Sequence, residues 1–374
     1  MTRWLAALLV VALPAPALAQ EDEPKPEWVG VWEGTIGSYP IVACLDTRYG
    51  RGGQGSYYYL KHLVPIDLGS ETPPAEWSEG GFARTGPGEP KPLWQLDAIE
   101  ADTIRGTWTG GDKSLPIALG RVAEGGEDAW SPCASANFLQ PRVVKPEFVR
   151  TGKTIDGLVY TELQFTAPKH FPEVAIGGFI FEPSQPGDAA ILAWVEEKMP
   201  KGTTEDEYIQ CMAGALAVHG VDGDYDMGVT PVFANPELLS LTRSQGDYCG
   251  GAHPNYWQEY ATFDRQTGAK LDPADWFNER GIAADEYQLK TMQQPLRELI
   301  VARWPEYEGE PDECSGYALD QQWWSYQIRR EGILFQPDFP HVMTACEEEI
   351  LLPWEELEPF LSDAGKSLRE RAQR

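Results

Sequence analysis

The stretch CGGAHPNYWQEYATFDRQTG, residues 249–268, sets a base, two carboxylates and several rings close together. His253 has the chemistry of a general base, and Asp264 or Glu259 could orient it. That reading makes the chain a cell-envelope hydrolase. Hydrolysis also needs a nucleophile or activated water and a stabiliser of developing charge. The sequence has no G-x-S-x-G, no G-x-x-x-x-G-K-[ST], no H-E-x-x-H and no G-x-G-x-x-G opening a helix. A second reading needs less. Gly250 and Gly251 allow a tight turn, Asp264 and Gly268 shape another, and His253 then borders a hairpin. We read the stretch as a hairpin with no catalytic residue, and keep the hydrolase centred on His253 with Asp264 or Glu259 as the alternative.

Metal chemistry finds little support. Asp222, Asp224 and Asp226 in DGDYDMG have alternate spacing, but Met227 and Phe233 stand where a calcium loop needs Gly and a bidentate Glu. We expect a polar turn. No Cys/His cluster has zinc spacing. No metal and no cofactor are therefore expected. Binding chemistry is better represented. Of fourteen Trp, six lie between residues 28 and 130, where alternation favours core. The adjacent Trp323 and Trp324 would face opposite ways on a strand, leaving one exposed. His253, Tyr256, Trp323 and Trp324 are the candidate ligand-binding residues.

These residues must be held by elements. The first nineteen residues read as a signal peptide: Arg3, an apolar run over 4–13, and Ala17-Leu18-Ala19 before the cut. Residues 20–27 form a charged, Pro-containing leader. The remainder is long enough for two domains. From Trp28 the pattern is period two, with Trp28, Gly30, Trp32, Gly34 and Ile36 on one face. Short runs separated by Gly, Pro and Asp continue to about residue 140, without a helix. They predict an all-β meander or small barrel over 28–140. VVKPEFVRTGKTIDG bridges to a second texture. LVYTELQFTAP reads as a strand, 187–200 and 204–220 as helices, and 283–304 as a longer helix interrupted or started near Pro295. Two strands and a terminal helix close the chain. The whole is α+β: an N-terminal all-β module, then an α+β domain with an antiparallel sheet over 150–365.

The net charge of −28 is spread along the chain, which disfavours nucleic acid and anionic lipid and suits a cationic partner. No segment after the leader looks membrane-spanning. Six cysteines in an exported chain suggest disulfides, and several connectivities are open. Sequential pairing, Cys44–Cys133, Cys211–Cys249 and Cys314–Cys346, respects the domain plan.

The run from Pro236 to Phe277 contains Gly250-Gly251-Ala252-His253, Phe263-Asp264, Thr267-Gly268, then Leu271, Asp275 and Phe277. It resembles the RsiV/PdaC-type C-terminal domain, shared by an anti-sigma factor and a deacetylase. GILFQPDFPHVMTACEEEILLPWEELEPFL resembles that domain's closing element. The likeness spans about 150–365. Glu347-Glu348-Glu349 depart from it, since small or apolar residues are usual there. The β module resembles one found beside such domains in exported bacterial proteins. The resemblance implies binding, because in RsiV this domain type recognises lysozyme, a cationic protein. It carries over neither anti-sigma nor deacetylase activity. The expected protein is a periplasmic or secreted, non-catalytic binder of a glycan or of a cationic envelope-active protein such as a lysozyme.

The mature N-terminus should be Gln20. Intact mass and N-terminal sequencing of the protein recovered after export check this, and an uncleaved chain would refute it.

Overall fold

Period-two alternation with turn residues between the runs produces a barrel. The computed structural model describes residues 25–47, 52–80, 91–122, 130–285, 287–307, 310–311 and 313–374. The expected signal peptide lies outside the described residues. Strands β1 (Gly30–Ile36), β2 (Tyr39–Thr47), β3 (Gly53–Tyr59), β4 (Ile66–Ser70), β5 (Glu76–Glu79), β6 (Leu93–Glu100), β7 (Thr103–Gly110) and β8 (Lys113–Arg121) form a closed antiparallel barrel in sequence order. Trp28, Trp32 and Ile36 fill its interior with Trp77 and Trp94. Gly34 permits closure, because a Cβ there would lie 2.1 Å from the Ala118 carbonyl oxygen. β2 is buried on both faces. Ile41, Ala43 and Leu45 point into the barrel, whereas Val42 and Cys44 join the core of the second region.

That region begins with one helical turn, α1 (Ala136–Leu139), which already precedes residue 140. The bridging segment supplies an edge strand, β9 (Phe148–Ile155). β10 (Leu158–Phe165), β11 (Val174–Phe181), β12 (Asp224–Ala234), β13 (Leu238–Tyr248) and β14 (Asn255–Asp264) complete a sheet of order β14-β13-β12-β11-β10-β9. Only the β11–β12 pair is parallel. Its crossover carries α2 (Asp188–Lys198) and α3 (Glu207–His219), whose Ile191, Val195, Ile209, Met212 and Leu216 pack on the sheet. The rest of the chain runs through β15 (Ile282–Ala284), β16 (Lys290–Met292), α4 (Gln294–Val301), β17 (Glu306–Tyr307), β18 (Glu310–Pro311) and α5 (Glu313–Asp320). It ends in the antiparallel sheet β19 (Trp324–Ile328), β20 (Gly332–Pro337), β21 (Ile350–Pro353), with α6 (Trp354–Leu357) and α7 (Asp363–Gln373). Trp276, Met292, Trp304, Trp354 and Leu368 share its core. The fold is α+β behind an N-terminal barrel.

Two local expectations are corrected. The helix expected over 283–304 is confined to Gln294–Val301. Upstream, the Asp285 carboxylate accepts the backbone N–H of Tyr287 and of Leu289, at 2.8 and 2.9 Å, and turns the chain into the β15–β16 hairpin. Pro295 then sits in the first helical turn, where a missing N–H costs nothing. DGDYDMG is not a turn throughout. From Asp224 it is β12, with Asp224 and Asp226 exposed and Tyr225 and Met227 buried. The alternate Asp spacing is the outer face of a strand.

The cysteines form Cys44–Cys133, Cys211–Cys249 and Cys314–Cys346. The first ties the barrel to the segment that leads out of it. Arg142 in that segment has a side chain with 0% exposure. Its Nε donates to the Leu63 carbonyl at 3.0 Å, and its two Nη atoms donate to the Asp222 carboxylate at 2.9 and 2.5 Å. The guanidinium lies 4.6 Å from the Phe171 ring centroid. Removing one partner strands the other charge. Arg142→Met should therefore destabilise by about 3–5 kcal/mol, and adding Asp222→Leu should recover much of that. Urea titrations of wild type, single and double variants measure both.

Candidate functional site

The β13–β14 hairpin and the connection from β20 to β21 meet to form a cleft. The hairpin is pinned at one side by Cys249, bonded to Cys211 on α3. Gly250 follows with φ +91, and a Cβ there would lie 2.8 Å from the Gly214 carbonyl oxygen of α3. Only glycine fits that close left-handed turn. His253 is exposed beyond it, with Nδ1 3.0 Å from the Pro254 carbonyl oxygen, so Nδ1 holds the proton and donates. The His341 ring stacks on His253 at 4.1 Å between centroids and 4° between planes. His341 opens a 3-10 turn, His341–Cys346, which Cys314 anchors to α5.

Between these walls lies a cavity of about 400 Å³, lined in part by Asp247, Tyr256, Trp257, Asp338, Phe339, His341 and Glu347. Among its described lining residues there is no Lys or Arg. Burial pushes the Asp338 carboxyl above its ordinary value, although the Ser325 hydroxyl donates to it at 2.8 Å. Burial also raises Glu347, the Phe339 N–H opposes this, and the Asp338 charge adds to the rise. The two carboxyls are thus close enough to feel each other and are short of donors. Beside Gln336, a lining residue, the Tyr260 hydroxyl donates to Glu349 Oε1 at 2.7 Å, and burial followed by that bond holds the phenol well above its usual range.

The sequence-derived candidates separate. His253 and Tyr256 come to one end of β14, at the cleft. Glu259 lies farther along and forms an ion pair with Lys270 at 2.5 Å. Asp264 is at the far end, about 30 Å from Asn255 at ~3.4 Å per residue. Burial works to raise Asp264, but the N–H groups of Thr267 and Gln266 and then Arg371, at 2.6 Å, hold it below its ordinary value. His253 therefore has neither carboxylate beside it. Trp323 is 46% exposed, whereas Trp324 is 5% exposed and belongs to the core. Both border a second depression, reached from the opposite end of β14, near Lys270. Asp247, Asp338, Phe339, His341 and Glu347 were missed by sequence reading. Glu347 did stand out within the acidic triplet that departs from the resemblance. Among the described residues, Cys211, Asp247 and Cys249 are the trio with ligand-type atoms within 4.8 Å of one another. Both sulfurs are bonded to each other, so neither is a thiolate.

No family model matches the chain, and no curated protein matches it. Solved structures do. A DUF3298 family protein from Pseudomonas aeruginosa PAO1 is 11% identical, with TM-score 0.36, covering 59% of this chain and 96% of that one. A DUF3298 family member from Bacteroides fragilis NCTC 9343 is 13% identical, with TM-score 0.33, covering 59% of this chain and 94% of that one. Likeness at this level says nothing about the cleft.

A carboxyl with a raised folded pKa stabilises the fold below its unfolded pKa and loses that contribution as pH rises through the raised value. Asp338→Asn keeps an acceptor for Ser325 and removes the partly desolvated charge. Its melting temperature at pH 7 should equal or exceed that of wild type, with a flatter decline from acid to neutral pH. Thermal melts across that range check it, and a clearly lower melting temperature at pH 7 would make Asp338 a structural acid.

Proposed function

We propose that the chain is an exported binding protein of the cell envelope, with a β module over 28–140 and a binding domain over 150–365. Its cleft receives a cationic group carried by an envelope-active protein such as a lysozyme. One observation carries the reading: Asp247, Asp338 and Glu347 face a cavity that has aromatic walls and, among its described lining residues, no Lys or Arg. Two of those carboxyls are held above their ordinary pKa because desolvation outweighs the one donor that each receives, Ser325 for Asp338 and the Phe339 N–H for Glu347. An ammonium or guanidinium would supply the missing donors, and the faces of Tyr256 and Phe339 would favour it further. At the rim Val342 is 89% exposed and Tyr256 47% exposed, the kind of apolar tips that a protein surface covers on docking. The resemblance to the RsiV/PdaC-type domain and the distributed negative charge point the same way. The three disulfides agree with an oxidising compartment, and no described helix is long and apolar enough to cross a membrane.

The test is calorimetric titration with a lysozyme. Wild type should bind, more weakly as salt rises. Glu347→Gln and Asp338→Asn should each weaken binding about tenfold or more while the fold persists. Binding should also fall as pH drops through the raised pKa values of the two carboxyls. Equal affinity in wild type and both variants would sink this assignment.

A further inference from the structure

Trp323 is exposed, but it is not loose. The Gln321 side-chain oxygen accepts the Trp323 N–H at 3.1 Å and the Gln322 N–H at 2.8 Å. The Trp323 carbonyl accepts the Asp338 N–H at 3.0 Å, and the Gln322 carbonyl accepts the Met292 N–H at 3.0 Å. Its neighbour Trp324 is sunk in the core, with its indole N–H on the Gln321 carbonyl at 2.8 Å. Backbone on both sides of Trp323 is therefore clamped, which directs the side chain outward and lowers the cost of ordering it on binding.

The ring borders a depression of about 380 Å³, within the ~300–1,000 Å³ common for small-ligand sites. Its polar groups are of one kind. Lys290 is shared by Asp275 at 3.1 Å and Asp272 at 3.7 Å. Lys270 is held by Glu259. Each of these ammoniums thus already has a carboxylate, so the rim offers donors and acceptors side by side and, among the described lining residues, no unpaired ammonium. The Tyr326 hydroxyl, also in the lining, has no hydrogen-bond partner among the described residues.

We infer that this depression binds a neutral saccharide, with a pyranose ring stacked on Trp323. A sugar presents an apolar face of C–H groups to an indole and vicinal hydroxyls at its edge. Paired Lys and Asp side chains can each donate to or accept from such hydroxyls. An anionic ligand would have to break an ion pair first. The site is separate from the carboxylate cleft and does not depend on the reading of that cleft.

The experiment titrates the full mature chain with cellotetraose and chitotetraose, and with an acidic tetragalacturonate, by calorimetry. A neutral tetrasaccharide should bind, with affinity nearly independent of salt. Trp323→Ala should lose at least about tenfold, as removal of a stacked aromatic does, while Trp323→Phe retains part. Lys290→Gln should weaken binding a few-fold. Glu347→Gln should leave saccharide affinity unchanged, which keeps this test apart from that of the cleft. Which neutral sugar binds identifies whether N-acetyl groups are read. No binding of either neutral sugar, undiminished binding by Trp323→Ala with an unchanged melting temperature, or tighter binding of the acidic sugar would each overturn the inference.

Discussion

The buried guanidinium of Arg142 holds the two halves of the molecule in one arrangement. Its Nε is spent on the Leu63 carbonyl beside the barrel, and its Nη atoms on Asp222, at the start of the turn into β12. His170 contributes from the sheet side, with Nε2 2.8 Å from the Arg142 carbonyl oxygen. Burial holds His170 below its ordinary pKa, so the neutral ring donates there. α3 ends just before Asp222, and Gln54 of the barrel donates to the Ala217 carbonyl of that helix at 2.7 Å. α3 in turn carries Cys211, which pins the hairpin that bears His253 and Tyr256. The placement of the cleft wall is thus traceable, bond by bond, to an ion pair far from it.

A second buried pair shows what a fully compensated charge looks like here. Asp188 has 0% side-chain exposure. Burial acts to raise it, yet two bonds from Arg265 and the N–H groups of Ser184 and Gln185 hold it below its ordinary value. Glu347 is half-buried and Asp338 more open still, yet each carboxyl has a single protein donor, and desolvation at the cleft displaces both upward. The same chain therefore pairs a buried carboxylate where the fold alone is served, and leaves two under-paired where a cavity opens to solvent. That contrast is a stronger pointer to function than total negative charge, because charge on an open surface is explained by solubility.

The two proposed sites also divide the labour of the edge strand β14. Its near end, with the stacked His253 and His341, borders an acidic and apolar cleft suited to a protein surface. The Tyr260 side chain borders the second depression, where ion pairs are already closed. Neither site uses a group that holds Arg142 or Arg265, so the binding surfaces can vary without disturbing those pairs.

Period-two alternation over Trp28–Ile36 was enough to determine a β module with its tryptophans inward. The apolar spacing of 187–200 and 204–220 was enough for two helices, which run over Asp188–Lys198 and Glu207–His219, and the motif from Gly250 to Gly268 for a hairpin with turns at both ends. Those features are local, written by side-chain period and by the turn chemistry of Gly and Asp. The helix expected over 283–304 failed because one carboxylate, Asp285, captured backbone N–H groups and outweighed the helical pattern. The ligand candidates were half visible. Tyr256, His253 and Trp323 could be named from ring exposure and neighbours, but whether Trp323 or Trp324 would face out depended on where β19 begins. Asp338, Glu347 and Asp247 were beyond reach, since they are brought together from two distant segments, the end of β13 and the β20–β21 connection, each tied down by a disulfide. Sequence spacing carries no record of that meeting. Only the tertiary structure decides which carboxylates meet at one cleft, and hence which are displaced from their ordinary pKa and left short of a partner.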